Sequence, residues 1–132
     1  MSVLVVAEHV RGELRPVTLE LISAARELGG PVVVAVIARD PAAFAAAVNV
    51  AGVDEIVAVR VEQEEFESDA WQQAVERLVE ERSPRATLLG FTVNSMGYGP
   101  AVAAKLGLGF ASDVFGLRDD CLLYTSPSPR DA

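Results

Sequence analysis

A three-layer α/β domain around a parallel sheet is the fold this sequence predicts, on two observations. Four short, mainly apolar runs rich in β-branched residues recur along the chain: Val3 to Ala7, Val32 to Ala38, Ile56 to Val61 and Ala86 to Phe91. Such runs are what strands buried on both faces of a parallel sheet require. Between them lie segments with helical spacing, and a strand–helix alternation repeated four times implies right-handed βαβ crossovers with helices covering both faces. The first strand is expected in the centre, between the second and the fourth.

Each helix carries its own signals. Pro16 suits a first helical position, and Val17, Leu21, Ile22, Ala25 and Leu28 then form one stripe ending at Gly29 and Gly30. "DPAAFAAAVNVAG" predicts a second, alanine-rich helix stopping at Gly52. Ser68 is the expected N-cap of a third, with Asp69 in its first turn, the stripe Trp71, Ala74, Val75, Leu78 and Val79, and Pro84 as its stop. Trp71 falls on that stripe and is read as core, without a functional role. The fourth is expected to have Gly99 at its cap, Pro100 first in the helix, Val102, Ala103 and Leu106 on the packed face, and Gly107 at its end.

Composition narrows the function classes. With 132 residues and 51% apolar content the chain suits one domain with an ample core. A net charge of −8 argues against nucleic-acid or anionic-membrane surfaces, which need cationic patches. No apolar run approaches the roughly 20 residues that span a bilayer, and the start lacks the basic region and cleavage site of a signal peptide, so a soluble, cytoplasmic protein without membrane insertion is expected. One cysteine, Cys121, and one histidine, His9, supply neither a disulfide framework nor a metal cluster. "EQEEFESD" has five acids in eight residues and reads as a solvated loop.

The stretch Gly90 to Val114 holds five of the ten glycines and poses the question of a phosphate loop. A dinucleotide fingerprint belongs in the first strand-to-helix turn, where "AEHVRGEL" has a single glycine. Gly97 and Gly99 begin such a pattern, but Val102 occupies the third glycine position and the loop follows the fourth strand. A P-loop requires Gly-Lys-Ser/Thr, whereas Lys105 sits in "AAKL". The glycines therefore serve a strand-to-helix turn. Because ligands of open α/β sheets bind at the carboxyl ends of strands, Thr92, Asn94, Ser95, Gly97 and Gly99 remain a candidate contact loop. Glu8 and His9 lie just past the first strand, but no nucleophile or orienting group accompanies them, so a hydrogen-bonded turn is expected. Ser95, Ser112 and Asp113 lack the Gly-x-Ser-x-Gly elbow of a hydrolase. No catalytic residue and no metal ligand is assigned.

Two blocks resemble a known family. "VLVVAEHVRGELRPVTLELISAAREL" (residues 3–28) is similar to the opening of the electron transfer flavoprotein alpha subunit of the FixB type. "GFTVNSMGYGPAVAAKLGLGFASDV" (residues 90–114) is similar to a later segment of that family, carried by Thr92, Pro100, Ala103, Ala104, Leu106, Ser112 and Asp113. The chain departs from the pattern at Ser95-Met96-Gly97 and Ala101, where the family often has basic groups. The resemblance covers about residues 2–118 and implies a Rossmann-like sheet of the adenine nucleotide alpha hydrolase-like type. It further implies a beta-subunit partner, electrons arriving from flavoprotein dehydrogenases such as acyl-CoA dehydrogenases and leaving to a quinone-linked acceptor, and one FAD held mainly by a C-terminal domain. This domain would then be scaffold and subunit interface, with no FAD of its own and no catalysis. The alternative is a stand-alone adenine-nucleotide-binding module of the universal-stress-protein kind.

The domain is expected over residues 1–118, with residues 119–132 a disordered or non-native tail. "CLLYTSPSPRDA" has no period and two prolines, and resembles translated sequencing-adapter read-through. On that expectation the chain is a truncated N-terminal piece, and amplification across the junction from source DNA checks it: an uninterrupted frame that retains this tail rules it out.

Overall fold

The apolar runs form strands β1 (Val3–Val6), β4 (Val32–Ala38), β5 (Glu55–Arg60) and β6 (Ala86–Gly90). A two-residue-per-arm hairpin, β2 (His9–Val10) and β3 (Glu13–Leu14), follows β1. Helices α1 (Pro16–Leu28), α2 (Ala42–Val48), α3 (Ser68–Arg82) and α4 (Gly99–Leu106) alternate with the strands, and β7 (Gly109–Ala111) and β8 (Cys121–Thr125) come last. The computed structural model describes residues 2–63, 65–90, 97–107, 109–111 and 121–125.

Among the described residues the main sheet runs β5-β4-β1-β6-β8-β7, with every pairing parallel. β1 is flanked by β4 and β6, as the sequence leads one to expect. The alternation of side chains along β1 explains the three layers. Val3 and Val5 pack with Val17, Leu21, Ala25, Phe44 and Val48 of α1 and α2. Leu4 and Val6 face the opposite way, toward Leu78 in one cluster and Trp71, Val75 and Val102 of α3 and α4 in another. Each strand is buried twice over, so polar alternation would have been destabilising at every second position. A fully buried aliphatic side chain contributes about 1.5–3 kcal/mol relative to exposure.

Several boundaries differ from expectation, each for a local reason. The α3 cap is Glu67, whose carboxylate accepts from the amides of Asp69 (3.3 Å) and Ala70 (2.9 Å). Ser68 takes the first helical position instead and donates its hydroxyl to the Gly97 carbonyl at 3.2 Å. The acidic run is thus not merely solvated: Glu67 caps, and Phe66 packs against the second core cluster. Helix α2 ends at Val48, short of Gly52, because the chain closes two tight turns, Val50 N–H to Val48 O (2.9 Å) and Val53 N–H to Val50 O (3.2 Å). Valine is a weak helix former, which makes that exit inexpensive. In α4 the cap is Tyr98, Gly99 starts the helix and Pro100 is second; the first turn has amides without intrahelical partners, so proline loses nothing there.

Cys121–Thr125 falls within the stretch expected as a disordered or non-native tail. It forms strand β8, paired parallel with β6 from Ala86↔Cys121 to Gly90↔Thr125, and with β7 on its other side. β6 would otherwise present an unpaired edge, and "CLLYT" has the apolar and aromatic composition that suits an added strand. Residues 126–132 lie outside the described residues.

At the amino edge of the sheet, Arg82 donates through both terminal nitrogens to Glu55, at 2.8 and 2.9 Å. That hydrogen bonding, with the guanidinium charge, holds the Glu55 carboxyl below its ordinary value of 4.5. A carboxyl depressed in the folded state stabilises above its unfolded pKa, and that contribution is lost as pH falls through the folded pKa. The acid limb of a melting-temperature profile should therefore be shallower in Glu55→Gln than in the parent, with the two curves parallel above about pH 4.5 and converging as pH falls below it. The pair is exposed, so the separation should be small and should shrink with added salt; identical curves at low ionic strength would remove Glu55 from the acid response.

Candidate functional site

Chain exit from β1 builds the first part of the site. The Glu8 amide donates to Thr18 Oγ1 at 2.9 Å, the Thr18 hydroxyl reaches the Glu8 carbonyl at 3.4 Å, and the Arg15 amide donates to that same carbonyl at 2.8 Å. Thr18 therefore bolts the end of β1 to the first turn of α1 from a fully buried position. Thr18→Val keeps the shape and strands the Glu8 amide, so it should lower the unfolding free energy by about 1–3 kcal/mol. Denaturant melts read this directly, and an unchanged midpoint would show that the amide finds another acceptor.

His9 follows, 4% exposed. Its ring Nε2 lies 2.8 Å from the Ile37 carbonyl. A carbonyl only accepts, so Nε2 carries a proton and donates it to Ile37 O. The ring stacks on Phe44 at 4.4 Å between centroids and 25°, and stands 5.7 Å from Trp71. Trp71, 2% exposed, continues into a cluster with Phe66 at 5.3 Å and Tyr98 at 6.1 Å. His9 thus joins the cores on the two sides of the sheet, while Trp71 is core as its helical spacing predicts.

The hairpin turn after His9 holds two consecutive positive φ values, Arg11 at 53° and Gly12 at 80°. That is the backbone of a type I′ turn, which glycine adopts freely and an arginine adopts at a cost. Glu65 Oε1 accepts from the Arg11 amide at 3.3 Å and helps hold it there.

A cleft of about 850 Å³ opens beside this turn. His9, Arg11, Arg39, Phe44 and Arg60 line it, together with the carboxylates of Asp40 and Glu65. Ala38 and Arg60 pair across the ends of β4 and β5, which sets Arg39 and Arg60 next to one another at the carboxyl edge of the sheet. None of the three guanidinium groups forms an ion pair among the described residues; those recorded there are Arg82–Glu55 and Lys105–Glu76.

The contact loop expected from sequence falls on the other flank. Thr92, Asn94 and Ser95, like Ser112 and Asp113, lie outside the described residues. Gly97 is held through its carbonyl by Ser68, Tyr98 is 1% exposed in the aromatic cluster, and Gly99 begins α4. The described part of that loop thus anchors α4. Sequence reasoning missed Arg11, Arg39 and Arg60. Their signal was available: each follows or ends a strand at its carboxyl side, where an α/β sheet presents its ligand groups.

A parallel sheet covered on both faces by helices, with a cleft at its carboxyl edge, defines a three-layer α/β domain. The sequence profile of the electron transfer flavoprotein domain matches residues 3–128, and the chain belongs to that family. It is 44% identical over 118 residues to the electron transfer flavoprotein subunit alpha of Methylophilus methylotrophus, covering 86% of this chain and 37% of that protein. The corresponding subunit of Mycobacterium leprae is 34% identical over 120 residues, covering 88% of this chain and 37% of its own length. The LctC subunit of a lactate dehydrogenase (NAD(+),ferredoxin) from Acetobacterium woodii is 30% identical over 117 residues, 85% of this chain and 28% of that one. The chain thus spans about 37% of the alpha subunits to which it is most directly compared. Similarity to alpha subunits agrees with the two sequence blocks.

Proposed function

We propose that this chain serves as the N-terminal domain of the alpha subunit of a heterodimeric electron transfer flavoprotein. Residues 1–118 are the domain proper and 119–132 a disordered or non-native tail, of which Cys121–Thr125 docks beside β6 as a strand, and the domain acts as scaffold and as interface to a beta subunit in the cytoplasm. The assembled protein takes electrons from flavoprotein dehydrogenases, acyl-CoA dehydrogenases among them, and passes them to a quinone-linked acceptor. Its FAD belongs to sequence beyond this domain. The observation that carries the reading is the 44% identity to an alpha subunit over 86% of the chain. Among the described residues no helix is long and apolar enough to cross a membrane.

Co-expression with a beta subunit of the same family tests the scaffold role. A complex that co-elutes in size exclusion supports it, and a beta subunit that assembles only with other alpha subunits refutes it. The purified chain alone should be colourless; a yellow product with near-stoichiometric flavin would overturn the assignment of FAD elsewhere. Micromolar AMP or ATP binding, with resonances shifting in the loop after β6, would instead favour the stand-alone nucleotide module.

A further inference from the structure

We propose that the cleft at the carboxyl ends of β4 and β5 is a binding site for a small phosphate-bearing anion, held by Arg11, Arg39 and Arg60. Three like charges share one concavity in a chain whose net charge is −8. Carboxylates to neutralise them are abundant elsewhere in the sequence, yet none pairs with these guanidinium groups among the described residues. Of the two acids in the lining, Glu65 accepts from the Arg11 amide at 3.3 Å. The lining sets the three arginines against two acids, Asp40 and Glu65, an excess of one positive charge, with Glu62 beside Arg39 and Arg60 in the adjoining concavity.

The chemistry of the side chains selects the ligand class. Guanidinium is planar, permanently charged and weakly hydrated, and presents paired donors that match phosphate oxygens. Its gathering at one place is costly by mutual repulsion and is offset when an anion bridges the groups. Arg11 shows the same bias in its backbone: it occupies a positive-φ turn position, at 53°, where asparagine or glycine would be unstrained. The volume of about 850 Å³ accommodates a molecule of nucleotide size, within the 300–1,000 Å³ common to small-ligand clefts. His9 and Phe44 close the floor as a fixed stacked pair, so the arginines are presented by a rigid base.

The site is independent of the electron-carrier reading and lies on the opposite flank of β1 from the loop after β6. Its test uses the 132-residue chain with pyrophosphate, ADP and adenosine as probes, followed by calorimetry and by amide chemical shifts. Pyrophosphate should bind saturably and weaken as ionic strength rises from about 10 mM to about 150 mM, over which the screening length shrinks from about 30 Å to about 8 Å. Arg39→Gln and Arg60→Gln should each weaken it by about tenfold, as loss of a charged hydrogen-bonding partner does. Arg77→Gln, the same charge removed from exposed α3, should leave it unchanged. Shifts confined to residues around Arg11, Arg39 and Arg60 support the site. ADP binding as well as pyrophosphate, without binding of adenosine, identifies the phosphates as the recognised part of a nucleotide; pyrophosphate alone identifies a free polyphosphate. Absence of saturable binding to the folded chain at low ionic strength overturns the proposal. So does equal weakening by Arg77→Gln, binding of adenosine alone, or shifts that map to the loop after β6. Melting curves of each variant confirm that exposed substitutions have left the fold intact.

Discussion

Trp71→Ala should lower the unfolding free energy by about 3–5 kcal/mol, the range for removing a buried aromatic side chain from a packed interior. The indole is 2% exposed and meets Phe66, Tyr98 and His9 at centroid distances of 5.3, 6.1 and 5.7 Å. Its loss opens a void between α3 and the carboxyl side of the sheet, and aromatic pair terms of about 0.5–1.5 kcal/mol are lost with it. Against a total stability of about 5–15 kcal/mol the change is severe. Denaturant midpoints measure it, with Trp71→Phe as the partial rescue that keeps the stacking surface. A loss below about 1 kcal/mol would mean that the cluster collapses onto the vacancy at little cost. His9 should keep its place in the variant, since the Ile37 carbonyl at 2.8 Å and the Phe44 ring still hold it.

Gly90→Val should cost about 3 kcal/mol, the upper end of overpacking penalties. Gly90 closes β6 beneath α1, and a Cβ built there meets Val17 Cγ2 at 2.8 Å and Cγ1 at 3.1 Å. Val17 is 3% exposed and β-branched, so it has neither solvent to move into nor a spare rotamer in a helix. Pairing the change with Val17→Ala should recover part of the loss, because the second substitution deletes the methyls that the first one strikes. Purely additive losses in that cycle would locate the strain elsewhere.

The glycine-rich stretch shows how far sequence patterning reaches. Its failure as a phosphate loop was legible from spacing alone, since Gly97, Gly99 and Val102 do not place the amides that a pyrophosphate needs. What spacing could not supply was the purpose of Tyr98, which is apolar core through its contacts with Phe66 and Trp71, residues about thirty positions earlier. Ser68 and Glu67 exchanged roles for a similar reason. Ser68 is the cap that the sequence favours, and the outcome turned on which oxygen reaches the α3 amides once Ser68 is drawn to the Gly97 carbonyl. The cleft arginines follow the same pattern: Arg11, Arg39 and Arg60 are unremarkable singly, and only strand pairing gathers them.

Sequence by itself determined the layered α/β architecture, the central place of β1 and the family, because burial periodicity, helix-stop residues and two local blocks are properties of short segments. Tertiary structure decided the bond of His9 to Ile37, the clamp of Thr18 on Glu8, the pairing of β8 with β6 and the arginine cleft. Each of these joins residues distant in the chain or settles a choice between equal local candidates, and the energy that makes the choice exists only once strands are in register and helices are seated on them.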